Sequence, residues 1–221
     1  AILHRLRAAP GRESFTAALL GDAPRLLSAT FVSRAGEGTG DRVQFVVVTL
    51  EDVTHRLAHV RHLEHRANHD SLTGLPNRSW LLDHLHERLA SGSSVVVAYV
   101  DLDGFKAVND RGGHAAGDDL LAEVAGSLAA GLGPREAVAR VGGDEFVVVA
   151  DADPASAAGA IEDSADALRE RIRRAVTGSP GAARASVGVS IGITRSRPGD
   201  QPWDLLGRAD AAMYADKRRQ E

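Results

Sequence analysis

The sequence lacks several features, and each absence narrows what the protein can be. It contains no cysteine, which excludes disulfide bonds and thiolate metal sites and fits a reducing cytoplasm. No apolar run approaches the roughly 18 to 20 residues that a membrane helix requires, and no signal peptide is visible. The chain does not begin with methionine. We therefore expect a fragment of a larger protein, and a membrane tether in that parent is compatible with the sequence.

Lysine is also scarce, since it occurs only at Lys106 and Lys217 among 26 basic residues. The net charge of −4 argues against a nucleic-acid polymer as partner, because a phosphate backbone binds a positive surface. A small phosphorylated ligand needs only local cations. In a chain that otherwise uses arginine, a retained lysine indicates a site for phosphate oxygens, which suit a compact ammonium group. Chance retention is the alternative for each lysine.

Two glycines and two adjacent carboxylates lie between short apolar runs in the segment Arg140–Phe146. The pattern predicts a β-hairpin whose tip carries Gly142, Gly143, Asp144 and Glu145. The glycines permit a tight turn and a close approach of the backbone to a ligand. Neighbouring carboxylates repel each other unless a cation compensates them. An ordinary exposed Gly-Gly-Asp turn is the alternative.

A second acidic segment follows the apolar run Val95–Val100, which predicts a buried strand. The run ends in Asp101, Leu102 and Asp103, so we expect these carboxylates at a strand end rather than on a solvated helix face. Hard oxygen ligands suit Mg²⁺, and the metal bridges substrate phosphates in nucleotidyl-transfer sites. The two acidic segments together predict such a site.

These segments resemble the signature of the GGDEF family, the bacterial diguanylate cyclases. The resemblance covers roughly two thirds of the chain, from about Asp70 to Lys217. Besides the hairpin, the blocks in the family's order are Asp70–Arg78, Asp101–Lys106, Asn109–Asp110, His114–Asp118 and Ala209–Lys217. The first block also has a purely structural interpretation, a Gly/Pro turn held by a contact between an aspartate and an arginine. The resemblance implies an α+β fold with a palm-like nucleotide-cyclase sheet and packed helices.

The resemblance also implies a reaction, the condensation of two GTP molecules into cyclic di-GMP with release of two pyrophosphates by a homodimer. Mg²⁺, or alternatively Mn²⁺, would be held by Asp101, the Leu102 carbonyl and Asp144. Glu145 would support the metal or help to deprotonate the 3′-hydroxyl, so Asp101, Asp144 and Glu145 are the predicted catalytic residues. The predicted substrate-binding residues are Phe105, Lys106, Asn109, Asp118, Gly142, Gly143 and Lys217.

Guanine selection is assigned by the same resemblance to Asn109 and Asp118, which otherwise would be turn and helix-start residues.

Two departures from the family pattern also matter. Gly133 and Glu136 stand where the product-inhibition site usually has Arg and Asp, so we expect feedback inhibition through that site to be absent or weak. Glu221 stands where an arginine is common, which puts part of the phosphate binding in question.

Three short apolar runs alternate with turn-forming residues before residue 54, namely Ser14–Leu20, Leu26–Arg34 and Arg42–Leu50. The alternation predicts an antiparallel meander. The segment Val46–Thr54 resembles the closing strand of a PAS sensor domain, which ends in Asp-x-Thr before a signalling helix. Residues 1–53 would then be the C-terminal part of such a domain, residues 54–69 the linker helix and residues 70–221 the cyclase domain.

Residues 54–69 contain no Gly or Pro and predict a helix with two distinct sides. One side is apolar and predicts the seam of a parallel homodimer; it comprises Val53, Leu57, Val60, Leu63 and Ala67. The other side carries His55, His59, His62, His65 and His69. This histidine stripe indicates zinc binding, pH sensing or simply a solvated polar face.

The remaining pattern predicts alternating helices and strands around one core sheet. The predicted elements are a helix from Arg78 to Ala90, a strand over Val95–Val100, a helix over Ala115–Ala130, the hairpin Val138–Ala150, a helix over Pro154–Ala175, a strand over Ala185–Thr194 and a helix over Trp203–Arg218. Two other functions remain open, a GTP-binding signalling module that is catalytically weak and a fragment that mainly dimerises through residues 54–69.

Overall fold

The computed structural model describes residues 11–19, 25–35, 43–152 and 158–220. The chain divides into two compact units, Ala1–His65 and Arg66–Glu221. Several predicted boundaries lie outside the described residues, namely Leu20, Arg42, Pro154 and Glu221. None of the helices in the described part of the chain combines the length and the apolar character that crossing a bilayer requires.

The first unit contains a three-stranded antiparallel sheet. Its strands are β1 (Gly11–Leu19), β2 (Arg25–Ala35) and β3 (Val43–Asp52), and each pairs with the next along the chain. This is the meander order that the alternating runs predict. Two adjacent residues of β3, Val47 and Val48, are both about half exposed although neighbouring strand residues point to opposite faces.

The first helix, α1 (Thr54–Asn68), follows β3 after one residue. The Asp52 carboxylate accepts hydrogen bonds from the amide and the hydroxyl of Thr54, and the Thr54 hydroxyl accepts one from the Leu26 amide. These hydrogen bonds lower the pKa of Asp52. The Asp-x-Thr motif therefore joins the end of β3 to the beginning of β2.

The predicted apolar seam on α1 needs one correction. Val53 precedes the helix and is only 2% exposed, and its amide donates to the Leu26 carbonyl. It is therefore part of the packed interior and not of an exposed seam. Leu57 is half-buried and Ala67 is exposed, while the side chains of Val60 and Leu63 lie outside what the structure describes.

The second unit contains a four-stranded antiparallel sheet covered by helices. Its strands are β4 (Val95–Asp103), β5 (Ala137–Gly142), β6 (Glu145–Asp151) and β7 (Gly188–Arg195), in the order β5-β6-β4-β7. Its helices are α2 (Arg78–Ala90), α3 (Phe105–Ala130), α4 (Ala158–Thr177), α5 (Pro180–Ala185) and α6 (Pro202–Gln220). This α+β arrangement agrees with the predicted cyclase-type fold.

Alternation along β4 divides the core into two layers, because successive side chains of a strand point to opposite faces. Val100 and Leu102 pack in the layer that includes the apolar residues of α3 and α4. Val97 and Tyr99 pack in the layer that includes those of α2 and α6. By the same alternation, Asp101 lies on the face of α2 and α6.

Helix α6 lies directly on β7 at Gly192. A Cβ at this position would overlap the Ala209 carbonyl oxygen and the Met213 amide, so only glycine permits this approach. Near the end of α6, the Asp216 carboxylate accepts a hydrogen bond from the Ile191 amide at 3.0 Å. The seat of α6 is therefore fixed at two points, one residue apart on β7.

Some element boundaries differ from the predicted ones for local reasons. The strand β4 continues through Asp103, so Asp101 lies inside the strand rather than after it. The segment α3 consists of two helices joined by a kink at the non-helical Gly113 (φ 75°). The second helix agrees with the one predicted over Ala115–Ala130, and the first, which begins at Phe105, was not predicted. The short α5, capped by Ser179 with Pro180 at its start, was not predicted and delays β7 to Gly188.

Candidate active site

The two acidic segments lie side by side at one end of the sheet. In the pairing of β4 with β6, Asp101 is opposite Glu145. The amide of Leu102 donates to the carbonyl of Asp144 at 3.4 Å, which extends the contact into the hairpin turn. In the pairing of β4 with β7, Asp101 is opposite Ser190. The register thus brings together the residues that the sequence places on two separate segments.

The hairpin tip is held by Arg140. Its Nε and Nη2 atoms donate to the Gly143 carbonyl at 3.0 and 2.7 Å, and its Nη1 atom donates to Asp70 at 2.9 Å. Gly143 has a φ of 38°, which favours glycine. The aspartate of the Asp70–Arg78 block therefore contacts an arginine of the hairpin. Arg78 instead lies over the Trp203 ring, 5.4 Å from its centre.

Asp70 is a carboxylate whose charge is well compensated. Burial by itself would raise its pKa, but hydrogen bonds from Thr73 and Arg140 outweigh burial and lower it. Asp70 accepts from the Thr73 amide at 2.9 Å and from its hydroxyl at 2.7 Å. The turn before α2 and the hairpin tip are therefore connected through one charged contact.

The carboxylates at the sheet end are compensated poorly by comparison. Burial raises the pKa of Asp144, and the negative charge of Asp101 raises it further. Burial also raises the pKa of Glu145, to which Asp101, Asp210 and Asp144 add. Lys217 and Arg140 lower the pKa of Asp144 without outweighing these effects, so a further bound cation would be stabilised among these carboxylates.

One cation lies in this cluster. The Lys217 Nζ atom, near the end of α6, donates to Asp101 Oδ1 at 2.5 Å. That hydrogen bond raises the pKa of Lys217, and the charges of Asp101, Asp103 and Asp144 add to it. The structure therefore places Lys217 on a predicted metal ligand, whereas the resemblance assigns it to phosphate oxygens.

Two neighbours of the acidic cluster were not predicted. The Tyr99 hydroxyl donates to Glu145 Oε2 at 3.2 Å, and burial followed by the charge of Glu145 raises the pKa of Tyr99. The Ser190 hydroxyl lies 2.8 and 3.0 Å from the two carboxylate oxygens of Asp103. Strand alternation could have identified Tyr99, which is two residues before Asp101. Nothing in the sequence singles out Ser190.

The predicted base-binding residues lie on α3. A Cβ at Gly117 would overlap Asn109 Oδ1 and would lie 3.0 Å from Phe105 Cζ. Gly117 thus lets Asn109 and Phe105, from the part of α3 before Gly113, pack next to Asp118 from the part after it. Asn109 lies in the helical part of α3 before Gly113 and not in a turn, whereas Asp118 lies near the start of the part after Gly113, which agrees with its interpretation as a helix-start residue.

Lys106 follows Phe105 on the first turn of α3 and is exposed. The two hairpin glycines are also accessible, since Gly142 and Gly143 are exposed. A Cβ at Gly142 would meet only Glu145 Oε2, at 3.8 Å. These three positions are therefore accessible to a ligand.

The donor set for a metal is small. Within residues 11–19, 25–35, 43–152 and 158–220, no group of three or more His, Cys, Asp or Glu side chains is arranged to hold an ion. The predicted set of Asp101, Asp144 and the Leu102 carbonyl consists of hard oxygen atoms, which fit Mg²⁺ when water and phosphate oxygens complete the shell. The same result gives no support to zinc binding by the described histidines of α1.

The positions expected to weaken product inhibition form a closed turn before β5. The Glu136 carboxylate accepts from the Gly133 amide at 2.7 Å and from Arg171 Nη2 at 2.5 Å. Burial alone would raise the pKa of Glu136, but these hydrogen bonds lower it. Arg135 is highly exposed and lies 3.6 Å from Asp151.

The fold and the site together define a class of protein, an α+β domain with an acidic strand end beside a Gly-Gly-Asp-Glu hairpin. The family model described as "Diguanylate cyclase, GGDEF domain" matches residues 67–221. The chain therefore belongs to the GGDEF family, which confirms the resemblance found in the sequence. The preceding strands lie outside the matched residues.

Similar proteins carry different functional names. Diguanylate cyclase TpbB of Pseudomonas aeruginosa is 40% identical over 163 residues, covering 71% of this chain and 37% of TpbB. Cyclic di-GMP phosphodiesterase PdeB of Shewanella oneidensis is 36% identical over 175 residues, covering 78% of this chain and 20% of PdeB. The chain thus spans well under half the length of these curated relatives.

A solved structure agrees in fold. The coiled coil and GGDEF domain of DgcB from Caulobacter crescentus, in complex with c-di-GMP, matches with a TM-score of 0.64 and 31% identity. The match covers 75% of this chain and 88% of DgcB as solved.

Proposed function

We propose that this chain is a diguanylate cyclase that condenses two GTP molecules into one cyclic di-GMP and two pyrophosphates. The observation that carries the proposal is the convergence of Asp101, Asp144 and Glu145, from two separate segments, at one end of the sheet. Family membership and the 40% identity to a protein named a diguanylate cyclase support it.

The acidic residues have distinct roles in this proposal. Asp101, Asp144 and the Leu102 carbonyl would hold Mg²⁺ or Mn²⁺, which when bound supplies positive charge to the triphosphate. Glu145 supports the metal ligands or helps to remove the proton of the 3′-hydroxyl. Its uncompensated position beside Asp144 suits either role, because a carboxylate of raised pKa accepts a proton more readily.

The remaining predicted residues bind and orient GTP. Lys106 and Lys217 hold phosphate oxygens, while Gly142 and Gly143 let the triphosphate approach the hairpin backbone. Asn109 and Asp118 pair with the edge of guanine, and Phe105 packs beneath the nucleotide. Their proximity around Gly117 supports a shared base-binding surface on α3.

The reaction requires a homodimer, since each 3′-hydroxyl attacks the α-phosphate of the opposite GTP. One protomer supplies half of the site. We assign dimerisation to residues 54–69, of which α1 occupies Thr54–Asn68. A comparison favours this assignment, because the solved DgcB chain combines a coiled coil with its GGDEF domain.

Residues 1–53 are proposed as the C-terminal part of a PAS sensor. The three-stranded meander and the Asp52–Thr54 contact support this, as do the half-exposed side chains of Val47 and Val48, which suit a sheet that belongs to a larger domain.

Because GTP is the substrate, we place the reaction in the cytoplasm.

Primary product inhibition is proposed to be absent or weak. Position 133 holds a glycine and position 136 a glutamate, so neither supplies an arginine for a phosphate of the product. The Glu136 carboxylate is itself engaged by Gly133 and Arg171. Adding increasing cyclic di-GMP to the assay should leave the rate unchanged. Strong inhibition abolished by Glu136→Gln would contradict this.

A second candidate function is a GTP-binding module within a larger signalling protein. The match to a fifth of a protein named a phosphodiesterase favours it, because a domain of this kind can belong to a protein with another activity. In this case the chain would bind GTP and form no cyclic product.

Incubation with GTP and Mg²⁺ separates the two candidates. We expect pyrophosphate and cyclic di-GMP in a 2:1 ratio from the unchanged chain, and loss of both in Asp144→Ala. Asp83→Ala, an exposed carboxylate change on α2, serves as the matched control and should retain activity. GTP binding without product identifies the binding module, and product from Asp144→Ala refutes the metal assignment.

A further inference from the structure

The contact between Lys217 and Asp101 is held in place by the packing around it. Asp101 is only 8% exposed, and the Lys217 ammonium lies 2.5 Å from its Oδ1 atom. The helix that carries Lys217 is fixed by its seat on Gly192 and by the hydrogen bond from Ile191 to Asp216. The position of α6 therefore places the Lys217 ammonium next to Asp101.

This contact conflicts with the two roles that the proposed function assigns. Asp101 is a proposed metal ligand, and Lys217 is a proposed phosphate ligand. An ammonium 2.5 Å from a carboxylate oxygen and a divalent ion on the same carboxylate would repel each other strongly, since the carboxylate is nearly buried and solvent screens them little. The ion pair and a metal on Asp101 therefore compete.

We propose that Lys217 and the metal ion exchange on Asp101, so that metal binding transfers the Lys217 ammonium to the nucleotide phosphates and makes metal and nucleotide bind cooperatively. This inference rests on the proposed function and deepens it. A metal ion arriving alone must break the ion pair and leave Lys217 without a phosphate partner. A metal ion arriving with the triphosphate gives Lys217 new oxygen atoms to contact.

The exchange predicts that removing Lys217 increases the affinity for free metal, which a lysine that only holds phosphates would not do. If Lys217 only held phosphates, its removal would weaken nucleotide binding and leave the affinity for free metal nearly unchanged. If it competes with the metal, its removal strengthens the binding of free metal. Because coupling between two ligands is reciprocal, its removal also reduces the factor by which metal improves nucleotide affinity.

The two lysines provide a matched pair for the test. Lys217→Met and Lys106→Met each remove one ammonium assigned to phosphates, but only Lys217 is in contact with Asp101. Mn²⁺ binding to the full chain is measured by titration calorimetry without nucleotide. Binding of a GTP analogue with an α,β-methylene bridge, which cannot release pyrophosphate, is then measured with and without Mn²⁺.

We expect Lys217→Met to bind free Mn²⁺ at least about threefold more tightly than the unchanged chain, and Lys106→Met to change this affinity by less than about twofold. Both variants should weaken the analogue, but only Lys217→Met should reduce the improvement that Mn²⁺ brings. Lys217→Gln, as a second neutral variant, should repeat the gain in Mn²⁺ affinity. Circular dichroism establishes that each variant is folded.

Two failures are distinguishable in this design. If Lys217→Met binds free Mn²⁺ no more tightly than the unchanged chain, or if Lys106→Met gains equally, the exchange is wrong. Asp101→Asn tests the metal site itself and should abolish Mn²⁺ binding. If Asp101→Asn leaves Mn²⁺ binding intact, the metal assignment of the proposed function fails, and the exchange fails with it.

Discussion

Two carboxylate sites in the same domain differ in how their charge is compensated. At the sheet end, burial and like charges raise the pKa values of Asp144 and Glu145. In the turn before β5, an arginine and a backbone amide lower the pKa of Glu136. At the first site the charge of Lys217 does not outweigh burial and the like charges, whereas at the second site the hydrogen bonds of Glu136 do outweigh burial. The comparison shows that acidity alone does not identify a functional carboxylate.

The largest expected effect, on the free energy of unfolding, comes from moving α6. Among the described residues, this helix supplies the only lysine that contacts the acidic cluster, Lys217. Gly192→Ala would force α6 away from β7, because the added Cβ overlaps the helix backbone. We expect a loss of about 3 kcal/mol in the free energy of unfolding, measured by urea denaturation. Gly207→Ala, at a position of α6 with open space, is the control and should change stability by less than about 1 kcal/mol. Equal effects of the two variants would contradict the close seat of α6.

A pair of neutral substitutions sharpens the comparison directly. At pH 7 and with chelator present, Glu136→Gln should lower the free energy of unfolding by about 1 kcal/mol, because it weakens the hydrogen bonds from Gly133 and Arg171. Glu145→Gln should raise it by a few tenths to about 1 kcal/mol, because it removes a negative charge beside Asp144 and Asp101. Chemical denaturation of both variants checks the signs, and two destabilised variants would remove the distinction between the sites.

The stability difference between Glu136→Gln and the unchanged chain should depend on pH. The pKa of Glu136 is lowered in the folded state, so the stability that its charge provides is present above the unfolded-state pKa and is lost as pH falls through the folded-state pKa. The difference between Glu136→Gln and the unchanged chain should therefore be full at pH 7 and disappear in strong acid. A difference that persists unchanged below about pH 3 would show that the effect comes from packing and not from charge.

The smallest expected effect concerns the hydroxyl that contacts the acidic cluster. Tyr99→Phe removes the donor to Glu145 while keeping the ring in the core, and should slow product formation by about two- to tenfold. Tyr214→Phe, which alters a 60% exposed tyrosine on α6, is the control and should leave the rate unchanged. An unaltered rate in Tyr99→Phe would show that Glu145 needs no positioning from this hydroxyl.

The sequence predicted the parts of the site that depend on local pattern. The apolar run before Asp101 indicated β4, and the glycines before Asp144 indicated a hairpin. Both are short-range signals, because strand and turn preferences depend on neighbouring residues. The family resemblance supplied the order of the blocks, which the comparisons confirm for residues 67–221.

The parts that could not be predicted depend on register and on distant packing. The pairing of Asp101 with Glu145 follows from the register of β4 and β6, which no spacing in the sequence determines. The contact of Lys217 with Asp101 joins residues 116 positions apart and requires the seat of α6 on Gly192. The helix of α3 that precedes the kink at Gly113 was not predicted, because the glycines at positions 112 and 113 are typical helix breakers.

The central claim is that carboxylates from two segments share one metal-dependent nucleotide site, and one assay tests it most directly. Pyrophosphate release from GTP and Mg²⁺ is compared for the unchanged chain, Asp101→Asn and Glu136→Gln. We predict that Asp101→Asn reduces the rate at least about 10²-fold, while Glu136→Gln, which alters the self-compensated carboxylate, keeps the rate within about twofold. Product formation by Asp101→Asn at the rate of the unchanged chain would contradict the claim.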